Sequence, residues 1–266
     1  MTLLSNEIRA VITRQQIIDQ LRANGITEGM TLMVHSSLRA FGYVCGGAQT
    51  VVDALLEVVG YEGTIVVSMQ SSDNSEPAYW QHPPIAINLF DVVRKSHPSF
   101  HVNHSDVSKM GIISESIRRR EGSVMTHHPS AAFCAMGKYA RFICRHHDLD
   151  FPLGKESPLG ACYDLKAHVL LLGVGYDSCT ALHLAESISS KRAVILQGGA
   201  VESSGGRIWQ KYLDIDYDSD DFKHIGLVLE HKNLVKNFMI GKAQVKFFEM
   251  QVAVDEAVAW IKERVV

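Results

Sequence analysis

A chain of 266 residues, 46% apolar and 21% charged, has ordinary globular composition, enough for one sizeable core or two small ones. Its net charge of −3, without a long basic run, gives no reason to expect nucleic acid, and no apolar stretch approaches the roughly 18 residues of a membrane span. Five scattered cysteines, odd in number and never spaced C-x-x-C, argue against a disulfide framework or a zinc ribbon; a reduced, cytoplasmic setting fits best, and no metal is expected.

Residues 1–22 mix Glu, Arg, Gln and Asp among their apolar positions and lack the apolar core and cleavage site of a secretory signal. Thr13-Arg14-Gln15-Gln16 reads as a capping box opening a helix through Leu21, with Gly25 placed to stop it. Residues 31–35 read as a short buried strand. The Gly46-Gly47 pair then opens a helix whose apolar stripe runs through Val51, Val52, Leu55, Leu56, Val58 and Val59. A second buried strand at 64–68 completes a βαβ unit, which predicts a parallel sheet covered by helices. Residues 70–84 are polar and proline-bearing, a long loop of the kind that often carries function.

Strands are predicted at 131–136 and 168–173, and a helix from about Thr180. Residues 193–196 and 208–215 read as an antiparallel hairpin separated by a glycine-rich stretch. The tail, 252–265, is an amphipathic helix whose apolar face would pack either on its own sheet or on a neighbouring copy, so a homodimer remains open. With no internal repeat or convincing linker, residues 1–266 read as one α/β domain with a β-hairpin insertion.

Polar clusters at the ends of buried strands mark where open α/β sheets take ligands. The first is His35-Ser36-Ser37-Leu38, where small residues leave hydroxyls and backbone N–H groups free to meet a phosphate or a pantetheine arm; an ordinary turn explains it equally well. The second is residues 70–77, in which Asp73 and Glu76 either receive a cationic substrate or belong to a solvated loop held by Asx turns. The third, His127-His128-Pro129, invites a metal, but neighbours in an extended segment point to opposite faces; a structural role or one histidine in a cofactor pocket is the better reading.

The fourth runs from Gly173 through Asp177, Cys179, Thr180 and His183 to Glu186, with His183 and Glu186 three apart on one helical face. A carboxylate beside an imidazole holds its tautomer and raises its basicity, as a general base requires. Thr180 either caps the helix or donates to a developing oxyanion. Cys179 with His183 as a nucleophile and base is a weak alternative, since buried cysteine is usually inert packing. Asp216 and Asp218 belong to an acidic run that either opens a helix or lines a pocket for a polycation.

V-H-S-S-L, a Gly-Gly-A helix, Q-S-x-D-x-S-x-P, H-P before a strand, S-P-L-G and L-L-L-G-V-G-x-D-S-x-T-x-L-H-L-A-E follow one another here. This order resembles the antibiotic N-acetyltransferase family, best known for aminoglycoside 3-N-acetyltransferases, and the similarity runs from Gly29 to about Glu249. The resemblance implies a three-layer α/β/α fold with a largely parallel central sheet, distinct from the GNAT acetyltransferases, and acetyl-CoA as co-substrate. It implies that Ser36, Ser37 and Leu38 hold the coenzyme, with help from His128 and Pro129. It also implies that His183 deprotonates the attacking amine beside Glu186, and that Asp73, Glu186, Asp216 and Asp218 form an acidic cleft for a polycationic amine, to which the residues themselves add Glu76 and Asp177. An acyltransferase with another amine acceptor and a non-catalytic coenzyme- or aminoglycoside-binding descendant are the alternatives.

Four departures bear on the acceptor. The family's T-P-T-R is Ser105-Asp106-Val107-Ser108 here, without the arginine; its N-H-P is His127-His128-Pro129; a serine is replaced by Ala132; and D-S-N-T is Asp177-Ser178-Cys179-Thr180.

Overall fold

The computed structural model describes residues 11–264; the reading of residues 1–10 as no secretory signal lies outside them. In chain order the elements are β1 (Val11–Ile12), α1 (Arg14–Ala23), β2 (Thr31–Ser36), β3 (Tyr43–Val44), α2 (Gly47–Val59), β4 (Thr64–Gln70), α3 (Phe90–Ser96), α4 (Ile112–Arg118), β5 (Val124–Met125) and β6 (Ala131–Gly137). They continue with α5 (Ala140–Cys144), α6 (Pro158–Asp164), β7 (His168–Leu172), α7 (Ala181–Ser189), β8 (Val194–Ser203), β9 (Gly206–Ile215), α8 (Phe222–His231), β10 (Lys236–Ile240), β11 (Ala243–Glu249) and α9 (Met250–Arg264).

The capping box is present at the start of α1: Thr13 accepts from the Gln16 backbone N–H and Gln16 reaches back to the Thr13 N–H. The βαβ unit is β2–α2–β4, whose strands pair in parallel from Thr31↔Thr64. A seven-stranded sheet runs β10-β11-β7-β2-β4-β6-β5. Its heart, β7-β2-β4, is parallel, and β11 and β6 flank it antiparallel.

Period-two alternation divides the sheet between two cores. Leu32, Val34, Ile65, Val67, Leu170 and Leu172 face α1, α2 and α4. Met33, Val66, Phe133, Val169 and Leu171 face α5, α6, α7, α8 and α9. The layering is therefore α/β/α. The C-terminal helix packs on its own body, with Ala253, Val254, Ala257 and Ile261 buried in the second core.

The hairpin is longer than its apolar ends suggest, with β8 and β9 paired from Val194↔Ile215 to Ser203↔Gly206. Its glycines are strand residues because other groups crowd them: a Cβ on Gly199 would lie 2.8 Å from Pro129 Cβ and 3.2 Å from the Asn74 carbonyl. Asn74 completes the seam, donating to the Ala200 carbonyl at 3.1 Å and accepting from its N–H at 2.7 Å.

Candidate active site

The C-terminal ends of β2, β4 and β7 open onto a cavity of about 620 Å³. Its wall contains His35 and Ser36 at the end of β2, Ser37 and Leu38 just after it, Ser68 and Gln70 from β4, and Asp177, Thr180 and His183 around the start of α7. Arg39 and Lys109 bring two cations to the same wall. The alternation that sends Met33 and Val66 toward the second core continues to His35 and Ser68, so both reach the side of the sheet that α7 covers.

His183 is the centre of the polar chemistry. Its Nδ1 lies 2.6 Å from Glu186 Oε2, and Glu186 has no exposed surface. The other carboxylate oxygen accepts from Arg192 Nε at 2.7 Å and from the Asp218 N–H at 2.9 Å. A carboxylate accepts, so Nδ1 carries a proton, and in the neutral ring Nε2 is the nitrogen that holds the lone pair. Tyr217 meets the ring edge-on and Phe222 packs at a tilt, with centroids 4.9 and 4.8 Å away. The ring is held on three sides.

Thr180 does not use its hydroxyl to cap α7. Instead Oγ1 accepts from Ser68 Oγ at 3.0 Å in a buried contact, which leaves the threonine proton for another acceptor. His35 is 8% exposed, and burial, aided by repulsion from His183, pushes its imidazole down to about 4. It is neutral at physiological pH. The buried His35 Nε2 and Ser36 Oγ have no hydrogen-bond partner among the described residues.

Several anticipated site residues lie elsewhere, for physical reasons. His128 is buried between backbone groups: Nε2 donates to the Leu149 carbonyl at 3.1 Å and Nδ1 accepts from the Ala131 N–H at 3.0 Å. Pro129 packs against Gly199 under the hairpin, and His127 points outward, the opposite-face arrangement of an extended segment. Glu76 is buried in an ion pair with Arg94 at 2.5 Å, and Asp73 is an exposed acid bonded by Ser71. Asp216 is exposed, while the Asp218 carboxylate caps the Asp220 N–H and lies 3.7 Å from Arg192. Of the anticipated acids, Asp177 lines the cavity.

Cys179 is fully buried, and desolvation pushes its thiol up to about 12, which removes it as a nucleophile. Ser68, Arg39, Lys109 and Arg192 went unread in the sequence. Ser68 carried a signal, as a hydroxyl ending an apolar strand; the three cations are indistinguishable from surface charge without the fold.

A family model described as aminoglycoside 3-N-acetyltransferase matches residues 33–262. The chain is 37% identical over 249 residues to a SPbeta prophage-derived aminoglycoside N(3')-acetyltransferase-like protein, YokD, of Bacillus subtilis, covering 93% of this chain and 92% of the relative. The crystal structure of YokD superimposes with a TM-score of 0.92 at 36% identity, covering 96% of this chain and 95% of that one. Aminoglycoside N(3)-acetyltransferase VII of Streptomyces paromomycinus is 32% identical over 276 residues, 95% of this chain and 92% of its own. The aminoglycoside acetyltransferase AAC(3)-Xa matches with a TM-score of 0.87 and 33% identity, over 96% and 94% of the two chains. With most of its length matched by the family model and by full-length relatives, the chain belongs to the aminoglycoside 3-N-acetyltransferase family of acyltransferases.

Proposed function

We propose that this protein transfers an acetyl group from acetyl-CoA to the 3-amino group of an aminoglycoside, with His183 as general base. The observation that carries this reading is an imidazole with one nitrogen tied to a buried carboxylate and the other untied, on a residue of the cavity wall. Residues of the wall fit a coenzyme. The orphaned His35 Nε2 and Ser36 Oγ suit the amides of a pantetheine arm, and Arg39 and Lys109 suit phosphates. When bound, acetyl-CoA supplies an acyl group activated as a thioester.

His183 Nε2 takes a proton from the acceptor amine as its nitrogen bonds the acetyl carbon, and returns that proton to the departing coenzyme sulfur, which regenerates the neutral ring. Glu186 accepts the Nδ1–H throughout and stabilises the imidazolium that forms. Thr180, its oxygen occupied by Ser68, has its proton available to an oxygen gaining negative charge in the cavity. No described helix is long and apolar enough to cross a membrane. The free thiols suit a reducing, cytoplasmic setting.

One observation favours a second reading, the same reaction on a less cationic amine. Glu76 is neutralised by Arg94 and Asp218 faces Arg192, so the acids available to a polycation are fewer than the sequence suggests. The test is to incubate the protein with acetyl-CoA and an aminoglycoside and to locate the new acetyl group by NMR of the product. Acetylation at the 3-amino group supports the reading. Unmodified antibiotic, alongside acetylation of a simpler amine, replaces it with the second.

A further inference from the structure

Arg192 lies in the short connection from α7 to β8, and its side chain is 17% exposed. Its Nε donates to Glu186 Oε1 at 2.7 Å, and its Nη2 donates to Asp221 Oδ2 at 2.9 Å and, at 3.4 Å, to the Asp218 carbonyl. Glu186 thus joins three things at one buried carboxylate: the His183 ring, a guanidinium and the backbone of the acidic loop. This loop, met in the sequence as a possible polycation cradle, is partly spent on bracing the dyad.

A buried carboxylate at hydrogen-bond distance favours the charged form of an imidazole. An imidazolium cannot take a proton, so the carboxylate that strengthens the base also raises the fraction of rings already charged. A guanidinium on the second oxygen of the same carboxylate offsets that effect while preserving the hydrogen bond that sets the tautomer. We propose that Arg192 is a positioning residue of the acyl-transfer reaction, holding Glu186 in place and keeping the His183 ring uncharged as the amine arrives. This rests on His183 being the base.

The other groups touching the ring do not supply this offset, and the two further cations of the cavity, Arg39 and Lys109, act in the same sense but bond neither the ring nor Glu186, Lys109 reaching Ser72 Oγ at 2.9 Å. His35, from β2, is neutral; Tyr217 and Phe222 present aromatic surfaces; and Asp177, lining the same cavity, is an acid. Asp218 and Asp221 fix the guanidinium with side chains 47% and 33% exposed, and as acids they partly cancel its charge rather than add to the offset.

The test uses the full chain labelled with 15N-histidine, as wild type, Arg192→Gln, Arg192→Lys and Asp221→Asn. Two quantities are followed with pH: the protonation of the His183 ring by NMR, and kcat/KM for thiol release. In Arg192→Gln the ring charges at a pH about one unit higher, a tenfold gain in proton affinity, and the acid limb of kcat/KM moves with it. KM for acetyl-CoA stays put, and Arg192→Lys keeps most of the wild-type profile. Asp221→Asn, which leaves the cation less neutralised, moves the limb the other way and serves if Arg192→Gln does not fold.

A fall in melting temperature with the ring titration unmoved would overturn the proposal. So would a lysine variant that behaves like the glutamine one, or an unmoved limb in Asp221→Asn. A ring titration that shifts in Arg192→Gln, while the wild type releases no thiol with any amine, would refute the acyl-transfer reading and retain the role of Arg192 on the ring.

Discussion

Glu186 accepts three donors and has no exposed surface, so its replacement separates orientation from charge. Glu186→Gln keeps the volume and one acceptor oxygen but loses the charge that stabilises the imidazolium; kcat is expected to fall at least about a hundredfold with KM for acetyl-CoA little changed. Steady-state kinetics decide it, and an unchanged kcat would place the catalytic proton elsewhere. Thr180→Val tests the hydroxyl that Ser68 leaves free to donate. Loss of one preorganised donor costs about a hundredfold in kcat, and the same size of effect in KM instead would make Thr180 a binding group. The motif around His183 was readable because its residues lie within one helical turn. Arg192 was not, because its meaning depends on the 216–221 loop returning to α7.

At the scale of elements, the strands, the capped first helix and the C-terminal helix followed from periodicity and caps, local properties of the chain. The hairpin and the 70–84 loop were legible as a hairpin and a loop, but the extent of the first and the contacts of the second were not, because long-range packing sets them. Gly198 and Gly199 read as loop residues, yet they extend β8 where Trp209 and Pro129 press close. Glu76 read as a free acid, yet Arg94, eighteen positions later, pairs with it. Gly199→Ala is expected to cost about 1–3 kcal/mol by forcing the hairpin off Pro129 and Asn74, read as a lowered denaturation midpoint. A neutral substitution would mean that the seam is loose.

The His128–His147 stack is a second long-range device of this kind. The rings lie 5.0 Å apart, His147 bonds the Pro152 carbonyl at 2.9 Å, and burial pushes His128 down to about 3 and His147 down to about 4. A histidine lowered in the folded state binds its proton more readily when unfolded, so stability is full above about pH 6.5 and falls as pH drops toward 4. By pH 5 each such ring loses on the order of 2 kcal/mol, and His35 adds in the same sense. Asp214 opposes them, because burial raises it to about 7 and its stabilisation is lost as pH rises. Three imidazoles against one carboxyl leave a net loss between pH 6.5 and 5. Denaturation across that window checks the sign, and His147→Gln should flatten the slope.

Over the whole molecule, a net charge of −3 conceals a cavity wall on which Arg39 and Lys109 outnumber Asp177. On the proposed reading, the overall negative charge would favour a cationic antibiotic while these two cations would meet the anionic coenzyme. Removing both cations, as Arg39→Ala with Lys109→Ala, is expected to raise KM for acetyl-CoA about tenfold and to flatten its dependence on salt. A KM that keeps its full salt dependence would assign the phosphates to another surface.

The most direct test of the central claim is free-thiol release from acetyl-CoA over a panel of aminoglycosides and simpler amines, comparing wild type with His183→Ala. Release is expected to require an amine and to collapse in the variant while acetyl-CoA still binds. Amine-dependent release that persists in His183→Ala would contradict that claim.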